Sequence, residues 1–544
     1  MMIDREKLRI RSVLVPCAVA AACALCLPII SAAATPGLQS GKVRIDKGIL
    51  HGSVENGIVS FKGIPYAQPP IGNIRWEPPQ PVTAWSGQRD ATHFGHDCMQ
   101  IPDPMEAAPQ GSTTPSEDCL YMNLWAPVEP AQTKRAVIVW IHGGGFINGG
   151  SSTPIYDGSG FAKQGAIFIS FNFRLGRFGF FAHPALTAER PDGLLGNYAY
   201  MDQIAVLQWI HRNIAAFGGD PANVTVIGES AGGGSVHFLA NSPLARGLLA
   251  KAIIESGGGR DSAHPRQLHD DQPGVPSGET LGLEFAQKHG ITGTSAQALA
   301  ALRKLPAMDI VDNLNIINRR ANDAVGATFP GPMIEGKLLL HSSQAGYLAH
   351  TQAKISMIVG GNDADLAYPV GHTIEDFLKP FGSDAAKARA VYDPQNIGDA
   401  KKFGEKTARD RGQLEPARFI ARTLSSQGQT VYEFRFSYIA TSMRGEWPDG
   451  APHASEVPFV FETLHARYDG KATADDEAMA RTISGYWVAF AKTGDPNGGN
   501  RPHWPAYNAQ KDILANFTNH GVVIEPDSWK TRIDLTEASH RNSN

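Results

Sequence analysis

The sequence predicts an α/β fold in which a large, mostly parallel central sheet is flanked by helices on both faces. Short apolar runs rich in β-branched residues recur through the middle of the 544-residue chain, which is typical of strands buried on both sides. Residues 200–216 carry apolar side chains every three or four positions, which indicates an amphipathic helix between two such runs. Strands that alternate with helices favour a parallel sheet. The composition, 42% hydrophobic and 19% charged, is that of a globular protein.

Six apolar runs predict the strands of this sheet, because each is too short for a helix and stands between turn-forming residues. They are residues 136–141, 166–171, 223–227, 252–255, 355–359 and 430–436. Upstream, alternating runs broken by glycine between positions 43 and 61 predict hairpins.

Two long stretches, 258–350 and 366–428, interrupt the alternation. Their pattern is mostly helical and their composition polar. We therefore predict that residues 35–544 form one domain, in which these two helical insertions supply the substrate wall or lid.

The N-terminus has the pattern of a secretory signal peptide. A basic start precedes an uncharged apolar run over 13–30, and small residues follow at 31–34. We predict removal of residues 1–34 and an exported protein, periplasmic or secreted, with no membrane attachment afterwards. Two alternatives are a retained membrane anchor and a lipid on Cys23.

The cysteine count agrees with export. Three of the five cysteines lie in the predicted signal peptide, which leaves Cys98 and Cys119. An oxidising compartment favours a disulfide between them, and the alternative is two buried free thiols.

The charge balance excludes some partners. Lys and Arg number 49 and Asp and Glu 53, a formal net charge of −4, and a chain without basic runs is not expected to bind nucleic acid. No cluster has metal-ligand spacing, and the glycine-rich loop lacks the Lys-Ser/Thr of a phosphate cradle. We therefore predict neither metal nor cofactor.

The strongest chemical motif is Gly-Glu-Ser-Ala-Gly at 228–232, directly after a predicted strand. A sharp turn from strand to helix presents the central serine at the end of the sheet, where it can act as a nucleophile. We therefore predict Ser230 as the nucleophile, and the alternative is a turn serine that caps a helix.

Attack by a hydroxyl on a carbonyl leaves negative charge on the substrate oxygen, which needs fixed donors. Ala231, the residue after the nucleophile, offers one backbone N–H. The segment His-Gly-Gly-Gly-Phe at 142–146 follows another strand and can offer more. The alternative is a merely flexible glycine loop.

A serine nucleophile needs a base, and the base needs an orienting carboxylate. Among six histidines beyond the fifth strand, His453 stands in a loop after a strand and before an apolar segment, and is the best candidate. A carboxylate belongs at the end of the fifth strand, where Asp363 and Asp365 compete.

These motifs resemble the type-B carboxylesterase family, which includes the cholinesterases and bacterial carboxylesterases. Residues 217–232 resemble its nucleophile signature throughout, and residues 116–123 resemble its second signature with Met122 in place of leucine. Residues 61–67 and 172–176 are similar to further family stretches. The resemblance runs from about position 41 to 504.

The resemblance implies an α/β-hydrolase fold and assigns roles by position. Ser230 would form the acyl-enzyme, His453 would be the base, and Gly144, Gly145 and Ala231 would form the oxyanion hole. Cys98 and Cys119 would match the family's first disulfide. The family usually has Asn-x-Asp-Glu-Gly where this chain has Asn-Asp-Ala-Asp-Leu at 362–366, so alignment places the acid at Asp365.

The expected activity is hydrolysis of a small to medium, apolar or aromatic ester by water, through a Ser-His-Asp triad and an acyl-enzyme. Phe146, Trp447 and Phe459 suggest room for apolar or aromatic groups, and the alternative for each is plain packing. A xenobiotic or natural-product ester is one expectation within this class. An amidase, a carbamate hydrolase or a lipase would use the same triad. A non-catalytic adhesion module is the alternative of another class, disfavoured because serine and histidine are both retained.

Overall fold

The computed structural model describes residues 36–102, 113–261, 265–321 and 324–541. These residues belong to one compact unit. The predicted signal peptide, residues 1–34, lies outside the described residues.

The strands form one large sheet and two small ones. They are β1 (Lys42–Ile45), β2 (Gly48–His51), β3 (Ser53–Glu55), β4 (Ile58–Pro65), β5 (Gln88–Asp90), β6 (Tyr121–Pro127), β7 (Arg135–Ile141), β8 (Ile167–Phe171), β9 (Phe180–Phe181), β10 (Gly196–Asn197), β11 (Gly219–Glu229), β12 (Lys251–Glu255), β13 (Ser356–Asn362), β14 (Val431–Ser437), β15 (Ile513–Thr518) and β16 (Gly521–Pro526).

The large sheet has eleven strands in the order β16-β15-β14-β13-β12-β11-β7-β8-β6-β4-β3. The strands from β8 to β15 in this order run parallel to one another. Antiparallel strands complete both edges. The large, mostly parallel sheet predicted from the sequence is therefore confirmed.

Helices cover the sheet and fill both insertions. They are α1 (Pro36–Gln39), α2 (Ser159–Lys163), α3 (Gly176–Gly179), α4 (Pro184–Glu189), α5 (Tyr198–Asn213), α6 (Ala231–Asn241), α7 (Gly278–Lys288), α8 (Ala296–Arg303), α9 (Ala307–Val311), α10 (Ile316–Ala321), α11 (Ser343–Leu348), α12 (Ile374–Leu378), α13 (Ala385–Tyr392), α14 (Ala400–Arg409), α15 (Glu415–Ser426), α16 (Val457–Val460), α17 (Leu464–Tyr468), α18 (Ala474–Thr493) and α19 (Lys530–Arg541).

Burial explains why the predicted runs form strands. Every residue of β8 and β12 is buried, because one apolar cluster packs on each face of the sheet. A continuous branched run satisfies both faces at once, whereas an alternating run would leave one face polar. All six predicted strands are present, with ends that differ by a few residues.

The N-terminal hairpins are also confirmed, since β1 pairs with β2 and β3 with β4 in antiparallel register. Cys98 and Cys119 form a disulfide and are both buried, as predicted. No helix in the described part of the chain has the length and apolar character needed to cross a membrane.

Candidate active site

Four neighbouring parallel strands end at one edge of the sheet, and each is followed by residues of the site. The glycine loop 142–146 follows β7, Ser230 follows β11, Ser256 follows β12, and residues 363–365 follow β13. Because the carboxyl ends of parallel strands share one edge, the topology gathers segments that lie far apart in the sequence.

Ser230 occupies a sharp turn between β11 and α6. Its backbone has φ 57° and ψ −123°, an uncommon conformation for a residue with a side chain. A Cβ on Gly232 would lie 2.0 Å from the carbonyl oxygen of Ile141, and one on Gly228 would lie 2.3 Å from that of Gly232. Both glycines of the motif are thus required by close backbone contacts.

The glycine loop lies against this turn. A Cβ on Gly143 would come within 3.1 Å of the Ser230 Cβ, and Gly144 and Gly145 have φ of 96° and 63°. Among the described residues, no acceptor is present for the backbone N–H groups of Gly144, Gly145 and Ala231. The turn and the loop therefore leave three donors next to Ser230.

His453 is held by Asp365. The His453 Nδ1 lies 2.6 Å from Asp365 Oδ1, and the Asp365 side chain is fully buried. Burial acts to raise the pKa of Asp365, but the charge of His453 and the hydrogen bonds the carboxylate accepts hold the pKa below its ordinary value. The carboxylate is therefore an anion that fixes the imidazole with a proton on Nδ1.

Asp363, the competing acid, contacts the backbone of the His453 loop rather than the imidazole. Its Oδ1 accepts a hydrogen bond of 2.6 Å from the N–H of Ala451. Residue Ala364 then forms a parallel bridge with Pro452. The two aspartates thus differ in function, because Asp363 anchors the loop while Asp365 contacts the ring.

The second imidazole nitrogen faces the turn that carries Ser230. His453 Nε2 lies 3.0 Å from Oε1 of Glu229, the residue before Ser230. Within the described part of the chain, the Ser230 hydroxyl and the His453 ring make no hydrogen bond. Hydrogen bonds between catalytic groups are often formed only in the substrate complex.

Sequence reasoning did not single out Ser256 or Glu229. The Ser256 hydroxyl donates a 2.6 Å hydrogen bond to Asp365 Oδ2, and the N–H of Asn362 donates to the same oxygen. Ser256 directly follows β12, so its position at the end of a neighbouring strand was the available signal. Glu229 was visible as the second residue of the nucleophile motif.

Two further glutamates, Glu255 and Glu456, are buried near the loop that carries His453. Burial, and then the charges of Glu229 and Glu255, raise the pKa of Glu456 well above its ordinary value. Burial also raises the pKa of Glu255 to about 8. Asn362 Nδ2 donates to Glu456 Oε2 at 2.5 Å. Burial therefore favours the neutral form of both acids.

Aromatic rings line one side of the nucleophile turn. Phe146, at the end of the glycine loop, packs edge-on against Phe180 and Tyr200, and its Cζ lies 3.8 Å from where Gly234 would carry a Cβ. Phe459, in contrast, is fully buried and packs against Phe436 in the core.

No group of three or more His, Cys, Asp or Glu in the described ranges could hold a metal ion.

Comparison with known proteins agrees with this geometry. The family model described as the carboxylesterase family matches residues 39–396 and 391–534. The chain is 33% identical to a fumonisin B1 esterase of Sphingopyxis macrogoltabida over 485 residues, which cover 85% of this chain and 84% of the relative. It is 33% identical to a para-nitrobenzyl esterase of Bacillus subtilis (strain 168) over 516 residues, 90% of this chain and 96% of the relative.

A third relative is a medium-chain fatty acyl-CoA hydrolase precursor of Anas platyrhynchos. It is 33% identical over 507 residues, which cover 85% of each chain. Each of these matches covers at least 85% of this chain. The chain therefore belongs to the carboxylesterase family and is a carboxylic ester hydrolase.

Proposed function

We propose that the protein hydrolyses esters through a Ser230-His453-Asp365 triad and an acyl-enzyme intermediate. The observation that carries the proposal is the 2.6 Å contact between His453 Nδ1 and Asp365 Oδ1, with Nε2 directed toward the turn that holds Ser230. A histidine fixed by a buried carboxylate on one side and facing a strained serine turn on the other is the arrangement a serine hydrolase needs.

In the first step, Ser230 Oγ attacks the ester carbonyl carbon and its proton passes to His453 Nε2. This step requires Nε2 to turn from the Glu229 carboxylate to the neighbouring hydroxyl. Negative charge on the carbonyl oxygen is stabilised by the N–H groups of Gly144, Gly145 and Ala231, each worth about 3 kcal/mol by analogy with other oxyanion holes. Collapse breaks the ester C–O bond, and the alcohol leaves with the proton from Nε2.

In the second step, water takes the place of the alcohol. His453 Nε2 accepts a proton from the water, whose oxygen attacks the acyl carbon, and Ser230 regains its proton as the acid leaves. Asp365 remains ionised throughout and stabilises the imidazolium that forms twice in each cycle.

For the substrate we propose a small to medium ester with apolar or aromatic groups. Phe146, in the glycine loop, packs edge-on against Tyr200, and the Tyr200 and Phe238 rings stack with centroids 3.8 Å apart. The relatives named for fumonisin B1, a para-nitrobenzyl ester and fatty acyl-CoA are consistent with varied acyl and alcohol groups on one shared mechanism.

The mechanism is tested with nitrophenyl acetate and butyrate together with a phosphonate inhibitor that labels nucleophilic serines. We expect the label on Ser230 by mass mapping. The Ser230→Ala variant should lose both label and turnover, with kcat falling by about 10⁶-fold as in other serine hydrolases that lack the nucleophile. The exposed Ser426, whose hydroxyl bonds only within its own helix, gives the matched control Ser426→Ala.

The same panel separates the other hydrolase classes. Matched anilides and carbamates test amidase and carbamate hydrolase activity, and emulsified long-chain glycerides test lipase activity. Faster turnover of any of these than of the short esters would replace the proposed substrate class. Unchanged ester turnover by Ser230→Ala would reject the triad itself.

We also propose that the protein is exported and that residues 1–34 are removed. The disulfide between Cys98 and Cys119 supports an oxidising destination. N-terminal sequencing of the protein recovered from periplasm and medium should begin at residue 35, and an intact N-terminus in the membrane fraction would favour a retained anchor instead.

A further inference from the structure

A cavity of about 430 Å³ opens beside the nucleophile helix. Gly234 and Phe238 of α6 line one side, and residues of the insertion 258–350 line the other. The N–H of Gly234 donates to the carbonyl oxygen of Ser230, so the cavity begins one helical turn, about 6 Å along the axis, from the nucleophile. This spacing is the distance that a substrate group has to cover from a carbonyl at Ser230.

Arg266 contributes a cation to this cavity. Its Nε donates a 2.9 Å hydrogen bond to the carbonyl oxygen of Pro330, and its Nη1 donates to that of Pro276. These two contacts fix the guanidinium plane. No acceptor for Nη2 exists among the described residues, so the plane presents unused donors in a fixed orientation.

Arg266 has no ion-pair partner within the part of the chain that the structure describes. Burial and the charge of Arg319 lower the pKa of the Arg266 guanidinium, and only the charge of Asp271 acts in the opposite direction. An arginine nonetheless remains a cation at any working pH. Asp271 is exposed, and its Oδ1 is occupied by the N–H of Ser277 and the hydroxyl of Thr280.

The rest of the wall combines apolar side chains with polar groups. Tyr200, Phe238, Pro330 and Pro332 supply aromatic and proline surface. The Ser342 hydroxyl, also in the wall, donates to Asp261, which leaves that carboxylate paired. A guanidinium held in a fixed plane favours a planar anion, because a carboxylate can accept two of its N–H groups at once.

We propose that this cavity binds a free carboxylate carried by the substrate, with Arg266 as the residue that determines specificity. The preferred substrates are then esters that bear a carboxylate within reach of the scissile bond, such as monoesters of dicarboxylic acids. This inference rests on the proposed function, since it assumes that the reacting carbonyl lies at Ser230.

The first test compares kcat/KM for a monoethyl ester of a dicarboxylic acid with that for the matching neutral methyl ethyl diester. In the first arm the carboxylate is on the acyl side, and the dicarboxylic acids have two to six methylenes so that a range of distances to the cavity is tested. In the second arm the carboxylate is on the alcohol side of the ester. We expect the wild-type protein to prefer the anionic ester in one arm. Arg266→Gln should reduce this preference about 10- to 100-fold, the value of a lost charge-assisted hydrogen bond.

Variants at two other positions test the inference even if Arg266→Gln does not fold. Ser343 lines the cavity at the first position of α11, where an acidic residue is well tolerated in a helix. Ser343→Asp should reduce the preference for the anionic ester, whereas the neutral isostere Ser343→Asn should not. Arg481→Gln removes an exposed arginine of α18 and controls for net charge.

A binding measurement separates this inference from the proposed function. Calorimetric titration of Ser230→Ala protein with the free dicarboxylate should give binding that Arg266→Gln abolishes. If neutral esters are hydrolysed by the wild type but no arm prefers the anion, the inference is overturned while the proposed function stands. If no ester is hydrolysed, the proposed function fails, and the calorimetric titration alone decides whether the cavity binds a carboxylate.

Discussion

At the scale of single residues, the site depends on two aspartates that stand two positions apart and perform different tasks. Asp365 receives hydrogen bonds from His453, Ser256 and the Asn362 N–H, which satisfies a carboxylate that is fully buried. Asp363 instead accepts from the N–H of Ala451. A buried anion needs this number of donors to remain ionised.

We expect Asp365→Asn to lower kcat for nitrophenyl esters by about 10⁴-fold, because an amide cannot hold the imidazole tautomer that accepts the serine proton. The measurement is steady-state hydrolysis at pH 7.5, with circular dichroism to verify folding.

Asp363→Asn is the matched control, since an amide oxygen can still accept from the Ala451 N–H. It should retain activity within about tenfold, the effect of weakening one hydrogen bond to a charged group. Equal losses in the two variants would mean that the acid has been assigned to the wrong position.

At the scale of elements, the strands and the sharp turn at Ser230 could be predicted because their signals are local. The run 136–141 is continuous and rich in β-branched residues, which is the pattern of a strand that is buried on both faces of a sheet. The Ser230 turn is likewise encoded within five residues, by glycines that admit close backbone contacts. The contact between Asp365 and His453 is different, since it joins residues 88 positions apart.

The sequence could name His453 and two competing aspartates, but not choose between the aspartates from residues alone. The choice depends on the bridge between Ala364 and Pro452, which sets the height of the histidine loop against the end of β13. Pairing of that kind is long-range and leaves no periodic pattern. Ser256 and Glu456 escaped prediction for the same reason, because their functions come from neighbours on other elements.

The disulfide joins two points of the segment between β5 and β6. Cys98 and Cys119 are separated by 21 positions, and closing a loop of that length removes entropy from the unfolded chain. We expect replacement of both by alanine to lower the free energy of unfolding by about 3 kcal/mol, measured by urea denaturation of protein that begins at residue 35.

Reduction provides the matched control for this prediction. Dithiothreitol should lower the wild-type midpoint toward that of the double variant and leave the variant unchanged. A wild-type midpoint that does not respond to reductant, together with a variant as stable as the wild type, would contradict a stabilising bridge.

At the scale of the whole molecule, buried ionisable groups make stability depend on pH in two opposing ways. Burial lowers the pKa of His142 and His237 to about 4, so these residues destabilise the fold as pH falls from about 6.5 toward 4. Burial raises the pKa of Glu255 and Glu433 to about 8. These groups hold protons in the folded state that the unfolded chain has already released above about pH 4.5.

Buried glutamates with a raised pKa make the protein less stable as pH rises. Between pH 5 and 8 the unfolded state binds fewer protons than the folded state, so the contribution of Glu255 to stability falls as pH rises. Glu255→Gln removes this dependence and keeps an acceptor for the Trp487 Nε1, which donates to the carboxyl at 2.5 Å. The variant should therefore gain stability relative to the wild type as pH rises.

We expect that gain to be on the order of a few kcal/mol between pH 5 and 8, measured as the difference in urea unfolding free energy at each pH. The difference removes the contributions of His142, His237 and Glu433 to the pH dependence, because both proteins contain these residues. The exposed Glu477 of α18 gives the matched control Glu477→Gln, which makes the same chemical change at the protein surface. A Glu255→Gln difference that does not change between pH 5 and 8 would mean that Glu255 is ionised in the folded protein at neutral pH.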